Sequence, residues 1–171
     1  MVGILLSQLR RRCKMNPKFR AWYVLAEEMI NEILMISFVR KEIIGKFSDG
    51  STSVPLKFED KRNGEDVILM QSTGLKDKNG KEIFEGDIIR TSAYGCIVDF
   101  GEYTYFEDDD TQTTEIGFYL SFLNVTPATY APFDKYYWDN CEVIGNIYEN
   151  ELDLIMYEVY KYNKKTSEDK E

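Results

Sequence analysis

Turn residues recur through the middle of the sequence at intervals too short for long helices. Asn-Gly pairs stand at positions 63–64 and 79–80, and the stretch STGLKDKNGKEIFEGDII, residues 72–89, holds three glycines. Asn and Gly tolerate the positive φ angles that two-residue hairpin turns need, and each segment between these turns has room for one strand. The spacing therefore predicts a mainly β fold built of short strands and hairpins.

The strand candidates follow one another closely along the chain. We expect strands at KFRAWYV, EIIGKF, SVPLKFED, EDVILMQS, DIIRT, CIVDF, YTYF, IGFYLSFL and CEVIGNIY. Such closely spaced, bent strands favour a small curled sheet or an SH3-like, partly open barrel. Residues 25–39 fit either an amphipathic helix or two strands, and the pattern leaves both interpretations open. Residues 124–140 contain two prolines and are predicted to form a long loop.

Residues 75–84 are predicted to form one of the hairpins. Asn79-Gly80 would make its turn, and its Lys and Asp side chains are expected on the solvent-facing side. Glu85, Gly86 and Asp87 then predict a tight turn into the next strand. In this interpretation the glycines of the stretch serve backbone geometry, and the charged residues remain free for contacts.

The two ends of the chain differ from the middle. Residues 1–14, MVGILLSQLRRRCK, form a basic extension, for which two interpretations stay open: a start assigned too far upstream, with Met15 as the true start, or a short arm that docks on a partner. Residues 15–154 are predicted to form one β-rich domain. A helix is expected to begin at Asn150, which is a good N-cap residue, and to end within residues 155–171, before a charged tail.

Charge constrains the class of partner. Residues 1–20 contain six basic and no acidic residues, so residues 21–171 carry 15 basic and 30 acidic residues, a net charge of −15. Nucleic-acid binding depends on clustered Lys and Arg, so we expect no direct nucleic-acid binding by this acidic body. No apolar run is long enough for a membrane helix. A protein is therefore the expected partner, and the acidic charge favours a basic one.

The absence of histidine removes many enzyme mechanisms. The chain has no histidine at all, whereas Ser-His-Asp triads, HExxH zinc sites and iron facial triads all require one. Neither a GxxxxGK[ST] nor a GxGxxG motif occurs. We therefore expect no cofactor and nominate no catalytic residue. Three widely spaced cysteines without a CxxC pair indicate reduced thiols and a cytoplasmic location.

One acidic run deserves consideration as a metal site. Asp108, Asp109 and Asp110 stand in a polar loop and offer the oxygen ligands that calcium and magnesium prefer. Acidic runs in loops more often form solvated tips, because repulsion keeps them extended. These three residues are weak metal candidates, and the solvated tip is the favoured interpretation.

Three segments together resemble a known family. KFRAW, LMQSTGLKDKNGKEIFEGDII and VIGNIYEN, in this order and spacing, are similar to the YopX family of uncharacterised proteins that phages and prophages encode, mainly in Gram-positive bacteria. The resemblance implies a mostly β fold and a phage or prophage origin, and it carries over no catalytic residue. The family-motif positions, interpreted chiefly as structural, are Phe19, Trp22, Gly74, Leu75, Asp77, Gly80, Gly86, Asp87, Gly145, Asn146 and Tyr148.

Three functional hypotheses follow. The favoured one is a non-enzymatic protein-binding or accessory module that presents an exposed aromatic patch, drawn from residues such as Tyr103, Tyr105, Tyr136, Tyr137 and Trp138. The second is a histidine-free enzyme that uses carboxylates on a small phosphorylated or sugar substrate. The third is an acidic inhibitor that mimics the charge of DNA and occupies a host protein. Open strand edges also suggest a homo-oligomer.

Overall fold

The computed structural model describes residues 18–59, 66–91, 94–107, 111–123 and 125–150. Within these residues the fold is mainly β, with a curled half-barrel sheet and one short helix near the C-terminus, which confirms the predicted class. The predicted extension over residues 1–14 and the helix predicted to begin at Asn150 fall on residues outside the described ranges.

The first half of the chain forms two small antiparallel sheets. Their strands are β1 (Phe19–Tyr23), β2 (Glu28–Ile30), β3 (Glu32–Ser37), β4 (Glu42–Lys46), β5 (Leu56–Lys57), β6 (Val67–Lys76) and β7 (Glu82–Phe84). The strand order is β2-β1-β6-β7 in one sheet and β3-β4-β5 in the other. Only Asn31 separates β2 from β3, so the chain bends there from one sheet into the next.

The second half forms a five-stranded antiparallel sheet and a short helix. Its elements are β8 (Asp87–Arg90), β9 (Gly95–Phe106), β10 (Gln112–Phe122), β11 (Tyr130–Pro132), the helix α1 (Lys135–Asn140) and β12 (Glu142–Asn146). The strand order is β11-β10-β9-β8-β12. β9 and β10 are the longest strands of the described chain and pair along eleven residues.

Each half has its own apolar core. The core of the first half draws on both of its sheets and contains Ala21, Ile30, Ile43, Leu56, Phe58 and Val67. The core of the second half lies on one face of the five-stranded sheet, where Ile83 of β7 in the first half joins Ile89, Cys96, Val98, Leu120, Phe133, Cys141 and Val143. Burial of a large apolar side chain contributes about 1.5–3 kcal/mol, so these two clusters dominate the stability.

Three local expectations are settled by this structure. Residues 25–39, left open between helix and strands, contain the whole of β2 and β3. CIVDF and YTYF, expected as separate strands, run together as β9, because β10 pairs with both without interruption. The predicted loop over residues 124–140 is wrong where β11 and α1 lie: the Asp134 side chain caps α1 by accepting a hydrogen bond from the Tyr136 N–H, and Trp138 packs on the second core.

A buried ion pair connects the two halves. Arg20 of β1 and Asp87 of β8 are both almost completely buried, and a guanidinium nitrogen of Arg20 lies 2.5 Å from a carboxylate oxygen of Asp87. The other oxygen accepts the Phe84 N–H at 2.9 Å, and the Arg20 guanidinium lies over the Phe84 ring at 4.8 Å. Burial raises the pKa of Asp87, and the Arg20 charge and these hydrogen bonds act against that rise.

The two members of this pair are predicted to be energetically coupled, so that replacing both costs less than the sum of the two single replacements. Arg20→Met leaves a buried carboxylate without its partner, which should lower the free energy of unfolding by about 3–5 kcal/mol. The double variant Arg20→Met/Asp87→Leu should lose less than the sum of the two single changes. Urea denaturation at neutral pH measures all four proteins of this cycle.

Arg40→Met is the matched control, because Arg40 pairs with Glu42 on the surface and is 65% exposed. Its cost should stay within about 0–1 kcal/mol. The account of the buried pair would be wrong if Arg20→Met cost no more than this control.

Candidate functional site

The three family-like segments converge on the contact between the two halves. Trp22 of the first segment stacks on Tyr148 of the third, with ring centroids 5.9 Å apart. Gly86 of the second segment has a φ of +77°, and a β-carbon there would stand 3.5 Å from Met70, Ile147 and Tyr148. Its N–H donates to Val98 and its carbonyl accepts from Ile147. These are ordinary contact distances, so the positive φ of the turn, and not a lack of space, is the reason for glycine at this position.

Asp77 fixes the predicted hairpin from inside the protein. One carboxylate oxygen accepts the N–H groups of Asn79 and Lys81, each at 2.9 Å, and the other accepts the N–H of Val143 in β12 at 3.0 Å. The hairpin and its Asn79-Gly80 turn are confirmed. The expectation that Asp77 faces solvent is wrong, since the residue is only 6% exposed. Its burial follows from the contact with β12, which lies far away in the sequence.

Asn146 organises the turn after β12. Its side-chain oxygen accepts the N–H groups of Tyr148 and Glu149, and its amide donates to the Glu149 carboxylate. A β-carbon at Gly145 would overlap the Asn150 side chain, whose oxygen accepts the Asn146 N–H. These contacts hold Tyr148 where it stacks on Trp22.

An open groove lies beside this stack. It has a volume of about 470 Å³ and is lined by Trp22, Val24, Glu27, Tyr148 and Glu149. Trp22 is only 9% exposed, so its ring supports the groove more than it presents a free face to a ligand. Two glutamates and no basic residue stand among the lining residues.

The carboxylates of residues 72–89 do not form one cluster. Asp77 caps its turn, Asp87 pairs with Arg20, and Glu82 pairs with Lys18 and accepts from Ser72. Glu85 lies instead near Asp99 of β9, a residue that the sequence did not single out. Burial raises the pKa of both Glu85 and Asp99, and the Asp99 charge raises the pKa of Glu85 further.

The described cysteines are buried. Cys96 and Cys141 are free thiols within the second core. Burial raises the pKa of Cys96 to about 12 and that of Cys141 to about 11. A thiol reacts as the thiolate, so these side chains act as small apolar residues and not as nucleophiles.

The outer parts of β9 and β10 form an accessible surface. β8 pairs with β9 at residues 95–97, and β11 pairs with β10 at residues 119–121. Beyond these points residues 100–106 and 112–118 pair with each other and with no other strand of the described chain. We call this two-stranded part the ribbon. Its backbone edges are therefore not covered by another described strand.

The two faces of the ribbon differ. On one face Tyr103 stacks between Tyr105 and Tyr119, with centroid distances of 5.7 and 4.8 Å, and its hydroxyl donates to Glu115 at 2.9 Å. We call this the tyrosine face. Burial and the Glu115 carboxylate raise the pKa of Tyr103 to about 12.

The opposite face of the ribbon exposes apolar side chains to solvent. Phe100 packs against Phe118 at 5.0 Å but remains 46% exposed, and Ile116 and Phe106 are 76% and 70% exposed. We call this the apolar face. Residues 91–134, which contain the ribbon, hold eight acidic residues and no Lys or Arg. The ribbon thus combines exposed apolar side chains with charge of a single sign.

The family of the chain follows from its match to the model of the YopX protein family, which covers residues 18–153. The chain is a YopX family protein. Among solved structures, protein EF1440 from Enterococcus faecalis is 30% identical, with 81% of this chain and 97% of that chain covered and a TM-score of 0.48. No curated protein is detectably similar. Among the described residues, no helix has the length and apolar character needed to cross a membrane.

The remaining YopX motif positions also have contacts of their own. Gly74 and Gly80 adopt positive φ angles of 74° and 83°, Leu75 packs on the second core, and the Phe19 ring meets that of Phe38 at 6.0 Å. Apart from Phe19, whose ring contacts Phe38 within the first half, the motif positions that the sequence named take part in a turn, a core or the contact between the halves. The accessible candidate site is instead the ribbon.

The predicted aromatic patch is not one surface. Tyr103 is buried, Tyr105, Tyr137 and Trp138 are half-buried, and Tyr136 is 66% exposed on α1. Sequence reasoning missed Phe100, Phe106 and Ile116 as the exposed set. Alternation along the strands places them on one face, but only the lengths of β9 and β10 show that this face extends beyond the core.

The three aspartates that the sequence offered as weak metal candidates, Asp108, Asp109 and Asp110, lie outside the described residues. Within the described ranges, no group of three or more His, Cys, Asp or Glu side chains is arranged to hold a metal ion.

Asp77 is predicted to make the hairpin contact sensitive to acid. Burial acts to raise the pKa of Asp77, but the hydrogen bonds from Val143, Lys81 and Asn79 outweigh it, and the pKa is lowered. A lowered folded-state pKa gives stability that is present above the unfolded-state pKa and is lost as the pH falls through the folded-state value. Asp77→Asn should cost roughly 1–3 kcal/mol at pH 7, because a buried N–H loses its acceptor.

Urea denaturation at pH values from neutral to acidic tests this dependence. The difference in the free energy of unfolding between the unaltered protein and Asp77→Asn should narrow as the pH falls below the ordinary Asp range. Asp49→Asn is the control, since Asp49 also accepts an N–H in a turn, from Ser51, but is exposed. Equal effects of the two substitutions at every pH would contradict the role of Asp77.

Proposed function

We propose that this YopX family protein is a non-enzymatic binding module, encoded by a phage or prophage, that docks on a host or phage protein in the cytoplasm through the apolar face of its ribbon. One observation carries the proposal: Phe100 and Ile116, 46% and 76% exposed, occupy neighbouring positions on the same face beside Phe118, and the exposed Phe106 lies farther along that face. Large apolar side chains grouped on a surface favour burial against a partner. The family assignment supports the phage origin.

The acidic charge supports a protein partner over a nucleic acid. The lack of Lys and Arg in residues 91–134 leaves phosphate groups without a counter-charge on the ribbon. Apolar contact would supply most of the affinity, and the acidic residues would steer a basic partner. A partner held mainly by charge, as a DNA mimic would hold it, would instead dissociate as salt is raised.

A carboxylate-dependent enzyme is the second candidate. The raised pKa values of Glu85 and Asp99 favour it, because a raised carboxyl pKa is typical of a general acid or base. Neither residue lines the groove beside Trp22. The binding module therefore has the stronger support.

The proposal predicts that one ribbon substitution removes the partner. The tagged full chain is used to capture proteins from a Gram-positive host after nuclease treatment, at low and high salt, with identification by mass spectrometry. Ile116→Asp should abolish recovery of a partner that the unaltered chain retains at both salt concentrations, because it places a charge within the apolar face.

Val39→Asp is the matched control, because Val39 is 96% exposed on the turn between β3 and β4, away from the ribbon. It should leave recovery unchanged, and thermal denaturation checks that both variants fold. Loss with Val39→Asp but not with Ile116→Asp would contradict the proposal. Recovery of the protein alone would also contradict it and favour the enzyme, which Asp99→Asn would then test against metabolites.

A further inference from the structure

We propose that the free edge of β10, residues 112–116, accepts an extended segment of the partner as an additional strand, and that this segment alternates basic and apolar residues. The inference rests on the proposed function and specifies the chemistry of the partner. It follows from three features of the ribbon: the open backbone edge, the difference between its faces and its charge.

The backbone groups at this edge are oriented for strand addition. Farther along β10 the Phe118 carbonyl accepts from Phe133 and the Phe122 N–H donates to Thr129, on the side away from β9. Because the direction of backbone groups alternates along a strand, the N–H and carbonyl groups of Gln112, Thr114 and Ile116 point to the same side. No strand of the described residues pairs with them.

A third strand would also stabilise the ribbon. An isolated two-stranded hairpin is at best marginally stable in water, whereas three strands with an apolar face sustain themselves. Main-chain hydrogen bonds then provide affinity, and the alternate side chains of the added strand provide specificity.

The faces of β10 determine which side chains the added strand needs. On the apolar face β10 presents Ile116 next to the uncharged Thr114 and Gln112, so the added strand would place apolar side chains on that side, with one of them against Ile116. Glu115 lies on the tyrosine face, so the side chains on that side would be Lys or Arg. Successive side chains of a strand point to opposite faces, and the partner segment must therefore alternate between the two types.

Charge argues against a second copy of this chain as the occupant. Two β10 edges placed together would bring Glu115 and the other acidic residues of both ribbons close to each other, and residues 91–134 contain no Lys or Arg to compensate. Like charges on neighbouring strands are destabilising. A basic segment of another protein satisfies the same edge without this penalty.

The test uses the isotope-labelled full chain and the capped synthetic peptide KVRVKVR, with binding followed by nuclear magnetic resonance. The peptide KKRRVVV has the same composition without the alternation, and EVDVEVD has the alternation with the opposite charge. We expect KVRVKVR to shift the amide signals of residues 112–118 and to bind at least about tenfold more tightly than KKRRVVV, a difference of several cross-strand contacts. EVDVEVD should not bind.

Two substitutions separate charge from strand pairing. Glu115→Gln should weaken KVRVKVR about fivefold, in line with the loss of one cross-strand charge pair. Thr114→Pro removes one outward N–H at an edge position, where proline is tolerated, and should abolish binding. Glu32→Gln on β3 is the control and should have no effect, because Glu32 is an exposed glutamate of the other sheet.

Strand addition would be overturned if KVRVKVR and KKRRVVV bound equally well, or if KVRVKVR did not bind at all. It would also be overturned if the amide signals that shift lay outside residues 112–118, or if Thr114→Pro left the binding unchanged. The two proposals fail in different ways. If a partner is captured and lost with Ile116→Asp but the peptide does not bind, the binding module is supported and strand addition is contradicted. If the peptide binds but no partner is captured, strand addition at the β10 edge is supported and the proposed function is contradicted.

Discussion

The buried pair of Arg20 and Asp87 is the interaction on which the rest of the architecture depends. Burial of two charges is costly and is compensated only when their geometry is good and other hydrogen bonds assist. Phe84 supplies both a donor for Asp87 and a ring surface for the guanidinium. The Arg20 Nε has no hydrogen-bond partner within the described residues, so the arrangement tolerates one unsatisfied donor. The pair fixes β1 against β8 and so sets the relative position of the two halves.

The motif residues around this pair have structural roles and do not form an accessible site. Gly86 adopts the positive φ of its turn, Asp77 connects a hairpin to β12, and Asn146 positions Tyr148 on Trp22. Each uses its hydrogen-bonding groups within the protein. The ribbon extends from the sheet that these contacts position, and among its described side chains Ile116 and Phe106 remain 76% and 70% exposed. The motif residues thus hold the two halves together, and the accessible surface lies elsewhere, on the ribbon.

The sequence predicted what depends on neighbouring residues and missed what depends on distant ones. Asn79-Gly80 specifies its turn locally, and the hairpin around it was predicted correctly. The burial of Asp77 depends on Val143, and the approach of Asp99 to Glu85 depends on the contact of the turn at Gly86 with Val98 of β9, so neither followed from local pattern. The exposure of Ile116 likewise required the extent of β9 and β10, because a local pattern of apolar residues does not reveal where a core ends.

Hydrogen exchange of the full chain, alone and with its captured partner, tests the central claim that the partner contacts the ribbon and not the motif residues. The account predicts slower exchange of the amides in residues 112–118 on binding and unchanged exchange around Trp22, Gly86 and Tyr148. Slower exchange confined to the segments around Trp22 and Tyr148, with none in the ribbon, would contradict it and place the partner in the groove between the two halves.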